Sequence, residues 1–182
     1  MTPTSFIGGD TGPWRVLGAT AVTGAPLAPV ARVDVVEDAR IAAARAATSG
    51  WRLRGVASNH RYTTRAEKTA LAERQAGLGR PEATYAALIP MRKTAAWWDL
   101  AQDERRAIFE ERSHHIAEGL RTLPAVARKL YHSRDLAEPF DFITWFELAP
   151  KDVGAFDDLV RALRATEEWR YVDREVDIRL TR

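Results

Sequence analysis

Two adjacent histidines, His114 and His115, belong to a chain of 182 residues that has only four His and no Cys. The missing cysteines remove disulfides, zinc–thiolate and iron–sulfur sites, thiolate-ligated haem and cysteine nucleophiles together. Imidazole and carboxylate are left as the groups for metal or acid–base chemistry. Residues 102–120 have helical spacing, so neighbouring side chains point about 100° apart. Ile108, Phe109, Ile116 and Leu120 make the apolar stripe. His115 lies between Ile116 and the small Gly119 and shares a face with Ile108, whereas His114 shares a face with Glu110, Glu111 and Glu118. His115 is therefore expected to face inward and His114 to face water. An inward histidine on its own is most simply a core residue with satisfied hydrogen bonds. Zinc would need several ligands, and Glu111 is the only near candidate. A haem iron needs one axial imidazole and an apolar cleft, which Trp, Phe, Leu and Ile supply. Six Trp suit a large flat ligand, although Trp and Phe are core residues by default. The pattern alone leaves a core histidine and an axial ligand both open.

The elements that must position these residues follow from periodicity. Residues 14–22 and 31–36 carry β-branched residues between Gly and Pro breaks and read as strands. Residues 38–48 are Ala-rich and read as a short helix or a mobile loop. Residues 51–62 alternate as a strand. Thr64 followed by Glu67 is a capping box that opens a helix to about Gly77 or Gly79. Strands are expected at 83–91, 126–133 and 142–146. A helical stretch begins near Ala95, followed by one long helix over 102–120. Val153, Phe156, Leu159, Val160 and Leu163 place a helix over 151–165. Residues 171–180 alternate as a half-buried final strand. The order in the second half is βαββαβ, the ferredoxin-like unit. The expected fold class is α+β, with a shortened ferredoxin-like half (1–80) and a complete one (81–182). Together they form a barrel-like sheet with helices outside.

Lys+Arg number 27 against 25 Asp+Glu, a net charge of +2, far from the basic density of a nucleic-acid-binding module. No apolar run approaches the roughly 20 residues of a membrane span. The first ten residues lack a basic segment followed by an apolar stretch. The expectation is a cytoplasmic protein with no nucleic-acid or membrane partner.

From Trp51 onward a series of stretches resembles the chlorite dismutase family of haem enzymes, in the same order. They are RGVASNHRYTTRAEK (54–68), RQAGLGR (74–80), IPMRKTAAWWDLAQDERRAIFEERSHH (89–115), ARKLYHSRDL (127–136), DFITWFE (141–147) and RATEEWRYVDREVDIRL (164–180). The short N-terminus resembles the family's truncated branch, whose members are dimers. The resemblance implies haem b as cofactor, chlorite as substrate, a homodimer, and two ferredoxin-like halves. It makes Arg128, just before Lys129-Leu130-Tyr131-His132-Ser133, the distal arginine, and His115, thirteen residues earlier, the iron ligand. The helical-face reading selects the same histidine. Within Thr166-Glu167-Glu168-Trp169, Glu168 is implied as the acceptor of the ligand's other ring N–H. Trp97 is implied against the haem and Trp98 behind it. Asn59, Tyr62, Ile89, Pro90, Met91 and Lys93 are implied around the haem edge and propionates, and Gln75 as a distal polar residue.

The implied activity is conversion of chlorite to chloride and dioxygen, with O–O bond formation at a His-ligated iron. The sister activity in the family, coproheme decarboxylation, uses a reactive Tyr in a Tyr-Pro-Met-Ser-Lys-like segment and typically lacks the distal Arg. The segment here is Ile89-Pro90-Met91-Arg92-Lys93. Ile cannot form a tyrosyl radical, so both departures favour chlorite chemistry. A non-catalytic haem-binding or sensing protein is the alternative of a different class. Peroxidase chemistry is disfavoured, because no distal His or carboxylate is placed to handle peroxide protons.

Overall fold

The computed structural model describes residues 3–37, 39–46, 50–57 and 62–182. Among these, eight strands close into one ring: β1 (Thr4–Gly9), β2 (Trp14–Thr23), β3 (Arg32–Val36), β4 (Trp51–Ala57), β5 (Tyr85–Lys93), β6 (Ala127–His132), β7 (Phe142–Leu148) and β8 (Val172–Thr181). The ring order is β1-β3-β2-β8-β5-β7-β6-β4. Every neighbouring pair is antiparallel. The helices are α1 (Ala39–Ala46), α2 (Arg65–Arg74), α3 (Ala95–Asp99), α4 (Gln102–Arg106), α5 (His115–Arg121) and α6 (Val153–Arg164).

The strand order β8-β5-β7-β6 is that of a ferredoxin-like βαββαβ unit, and β4-β1-β3-β2 repeats it with the earlier strands. Residues 10–13 join β1 to β2 with no crossover helix. Stagger makes this possible. β2 meets β3 only at Trp14↔Val33 and Arg15↔Arg32, then runs on beside β8 as far as Thr23. Only the short end of β2 has to be reached from β1.

Alternation along each strand sorts two cores. On β5, Ala86 and Leu88 point into the ring with Phe6, Trp14, Leu53 and Trp145. Ala87 and Ile89 point outward and meet Phe146, Phe156 and Val160 under α6. The interior is filled by aromatic rings: Phe6 and Tyr131 pack edge to face at 5.1 Å, and Trp14 and Trp145 at 5.3 Å. Burying each such large apolar side chain contributes about 1.5–3 kcal/mol. The filled interior leaves the outer face of the sheet, beneath the helices, as the place for a cleft.

Several elements depart from the pattern reading. β1 lies outside the strands expected at 14–22 and 31–36. Its Gly8 is required by close approach, since a Cβ there would run into the Trp51 ring. Residues 39–46 of the Ala-rich stretch are helical. The strand expected over 51–62 ends at Ala57, and residues 58–61, Asn59 included, lie outside the described residues. The capping box is present: Glu67 N–H donates to Thr64 Oγ1 at 3.3 Å, and Thr64 N–H donates to Glu67 Oε2 at 2.7 Å. The helix it opens stops at Arg74, where Gln75 turns extended. β8 is buried on both faces. Glu175 and Asp177, on its expected solvent side, are covered by α6 and held by Arg164 at 2.7 and 2.8 Å.

Candidate functional site

A cavity of about 250 Å³ lies between the outer face of the sheet and the helices. Ile89 and Met91 of β5, Phe146 of β7, Ile116 of α5 and Leu163 of α6 give it apolar walls. His115 and Arg128 also line it.

The helix expected over 102–120 is not continuous. α4 gives way to a π-helical segment, Ala107–Arg112, and the chain then breaks at Ser113-His114. His114 takes φ 52°, a left-handed conformation uncommon for a residue with a Cβ. A new helix therefore starts at His115. Glu110 caps it, accepting from Ile116 N–H at 2.5 Å and from Ala117 N–H at 3.3 Å. The seven-residue spacing from Ile108 to His115 thus crosses a π-segment and a break. The inward direction of His115 comes from this cap and from a stacked contact with Phe109 at 4.3 Å, not from a continuous helical face. His114 is exposed, as the stripe reading expects.

Behind His115 stands a charged relay. His115 Nδ1 lies 2.7 Å from Glu168 Oε2, and Lys93 Nζ donates to Glu168 Oε1 at 2.7 Å. Glu168 N–H in turn donates to Ser113 Oγ at 3.0 Å. Lys93 and Glu168 are both buried, with 5% and 3% of their surface exposed. Burial pushes the Glu168 carboxyl up, but the Lys93 ammonium and then His115 outweigh it and hold it at about 2. A permanently ionised acceptor on Nδ1 keeps the proton there and leaves Nε2 as the lone-pair nitrogen. The neighbouring Glu167 pairs instead with Arg112.

Arg128 of β6 is in a different situation. Its Nη1 donates to the Gly119 carbonyl at 3.1 Å, and it has no carboxylate partner among the described residues. Burial alone pushes its guanidinium down to about 10, so it stays charged at neutral pH. Gln75 holds the Arg128 main chain, its amide donating to the Arg128 carbonyl at 2.7 Å.

The remaining candidates divide. Ile89 and Met91 line the cavity. Pro90, between them on the strand, faces the other side of the sheet. Lys93 lies behind the cavity as the partner of Glu168, its ammonium 4.5 Å from the Trp97 ring. Trp98 is turned away, donating to Asp141 at 3.2 Å and stacked on Phe142. Trp97 is fully buried, edge-on to Tyr62 at 6.2 Å, and Tyr62 packs on Phe109 at 5.7 Å. The Trp97 indole N–H and the Tyr62 hydroxyl are both buried with no hydrogen-bond partner among the described residues. Such donors are costly unless an acceptor reaches them. Tyr62 is tied to the cavity wall through Phe109, which lines it. Among the described residues no group of three or more His, Asp or Glu could hold a bare metal ion.

Sequence reasoning missed Ser113, Phe109 and the Lys93–Glu168 pair. The pair had no local signal, because Lys93 ends β5 and its partner Glu168 lies 75 residues further along the chain.

An antiparallel ring closed on itself, filled inside and carrying helices outside, defines an α+β barrel. The family model for chlorite dismutase matches residues 34–182, and the chain belongs to that family. It is similar to the chlorite dismutase of Ideonella dechloratans, 40% identical over 87 residues, a stretch that spans 48% of this chain and 28% of that protein. Among solved structures it is similar to a dimeric chlorite dismutase from Nitrobacter winogradskyi. Identity there is 58%, the TM-score is 0.90, and coverage is 98% of this chain and 99% of the other. A mutant chlorite dismutase from Candidatus Nitrospira defluvii shares the fold at 24% identity and a TM-score of 0.71, over 99% of this chain and 90% of the other. No helix among the described residues is long and apolar enough to cross a membrane.

Proposed function

We propose that the chain is a haem b-dependent chlorite dismutase that works as a homodimer and converts chlorite to chloride and dioxygen. The observation that carries this reading is one cavity holding both an imidazole backed by an ionised carboxylate and a guanidinium with no counter-charge. The dimeric relative from Nitrobacter winogradskyi supports the assembly. The halves 1–80 and 81–182 are read as two ferredoxin-like units of one body.

In this reading His115, the imidazole that lines the cavity, would hold the iron through Nε2. When bound, haem would supply a redox-active iron able to exchange an oxygen atom with substrate. Glu168 keeps the proton on His115 Nδ1 and makes the imidazole a stronger donor. Lys93 keeps Glu168 ionised. Arg128 attracts chlorite into an apolar cavity and holds it, with any oxychlorine fragment, until the reaction is complete. The overall change, chlorite to chloride plus dioxygen, consumes no proton, so a fixed cation serves where a proton-transferring group would not. Arg suits this, with several donors and a charge kept throughout the neutral range.

The test is an oxygen electrode reading on the purified holoprotein after one addition of chlorite, alongside chloride titration. One dioxygen and one chloride per chlorite are expected. Haem-loaded protein that releases no dioxygen overturns the reading in favour of a binding or sensing role. Conversion of added coproheme to a product of lower mass would favour the decarboxylase.

A further inference from the structure

Gly119 sits in the interior of α5 with an ordinary helical φ, so its backbone does not require glycine. Glycine there weakens the helix relative to alanine. The position is nonetheless buried, and what fills the space beside its Cα is the head of Arg128. A Cβ at Gly119 would lie 2.4 Å from Arg128 Nη2, 2.6 Å from Nη1 and 2.8 Å from Cζ. All three nearest atoms belong to that one flexible side chain, so the fold can accept a methyl group only by moving the guanidinium. The Gly119 carbonyl receives Nη1 at 3.1 Å and also accepts from Thr122 Oγ1 at 3.0 Å.

We infer that Gly119 is a positioning residue: its missing side chain forms the seat that fixes the Arg128 guanidinium at the cavity wall. The inference rests on Arg128 being the group that receives the substrate anion. The space a Cβ would fill and the carbonyl that accepts from Nη1 together define the seat. No other residue in contact with the guanidinium is needed to explain why a helix interior carries glycine here.

The experiment is a double-mutant cycle on the holoprotein with Gly119→Ala, Arg128→Ala and the double variant. Nitrite is the probe, followed by its shift of the Soret band, and the melting temperature is read on the same samples. Gly119→Ala is expected to weaken nitrite binding about tenfold, the scale of one charge-assisted hydrogen bond. It should leave the melting temperature unchanged or raise it by roughly a few degrees, as a helix glycine replaced by alanine does. In the Arg128→Ala background the second substitution should not change affinity further, and this coupling is the signature of a seat. Wild-type affinity in Gly119→Ala, with weakened binding in Arg128→Ala, overturns the seat alone. Additive losses in the double variant overturn it as well. Wild-type affinity in Arg128→Ala overturns Arg128 as the anion group, and the seat falls with it. Should Gly119→Ala fail to fold, the double variant decides: recovery of the fold when the guanidinium is removed supports the seat, and continued failure sinks it.

Discussion

On the α5 side of the cavity each polar group has a partner at 2.7 Å: His115 with Glu168, and Glu168 with Lys93. On the β6 side Arg128 has a neutral carbonyl at 3.1 Å and a desolvated positive charge. The first arrangement fixes a ring orientation and a proton. The second leaves a charge uncompensated until an anion arrives. Buried ion pairs that are fully hydrogen-bonded define geometry more than they add stability. A half-buried, unpaired cation is held at a cost to the fold, and that cost becomes attraction for a ligand of opposite sign. Under the proposed function the contrast separates holding a cofactor from receiving a substrate, and it can be broken one side at a time.

The largest effect is expected from His115→Ala, which should abolish haem retention, read as the absence of a Soret band after reconstitution. A normal band there would remove His115 as ligand. Next is Arg128→Ala, which should keep the Soret band and lower chlorite turnover by about 10²-fold, the scale of losing a preorganised charge donor. The two sides then fail differently, one in cofactor content and one in rate. The wild type should show the same dependence through pH. Arg128 in the fold loses its proton near pH 10, so nitrite affinity should hold through neutrality and decline as pH rises through about 10. The same depressed value means that burying the cation destabilises the fold at neutral pH and that this cost is relieved at higher pH.

Lys93→Met should come third. It leaves Glu168 buried with His115 alone and should cost about 3 kcal/mol, read by chemical denaturation. The acid limb should move with it. In the wild type the Glu168 carboxyl lies at about 2, below its unfolded value. Its stabilising contribution is therefore complete above the ordinary carboxylate range and is lost as pH falls toward about 2. Without Lys93 that loss should begin at higher pH. Smallest is Gln75→Ala, which removes one hydrogen bond to the Arg128 main chain and should change turnover within about threefold. A loss as large as that of Arg128→Ala would mean that the β6 side depends on backbone placement as much as on charge.

Strands and helices with clear periodicity were legible: β2, β3, β5 to β8, α2 with its capping box, and α6 all lie where spacing puts them. β1 was not, because Gly8 serves a close approach of the Trp51 ring, from a residue 43 positions on, that no local pattern announces. β8 was read as half-exposed because Glu175 and Asp177 are charged. Their burial depends on Arg164, which approaches from a helix that no local pattern links to that strand. At the site, His115, Arg128 and Glu168 could be named from resemblance, and His115 also from a stripe of apolar residues. The stripe argument pointed the right way through a helix that is not continuous. The Lys93–Glu168 contact joins residues 75 apart in the chain, a separation at which composition and spacing carry no signal.

The π-helical segment has a consequence for how this chain tolerates changes in length. In an α-helix each residue advances about 100° around the axis. The wider turn over Ala107–Arg112 takes up extra chain without adding a full α-helical step for each residue, and the left-handed His114 sets a new direction for α5. Removing one residue from this stretch would favour regular winding and carry His115 away from Glu168. Replacing a residue on its exposed side would leave the winding intact. The spelling of the segment can therefore drift where its letter count cannot.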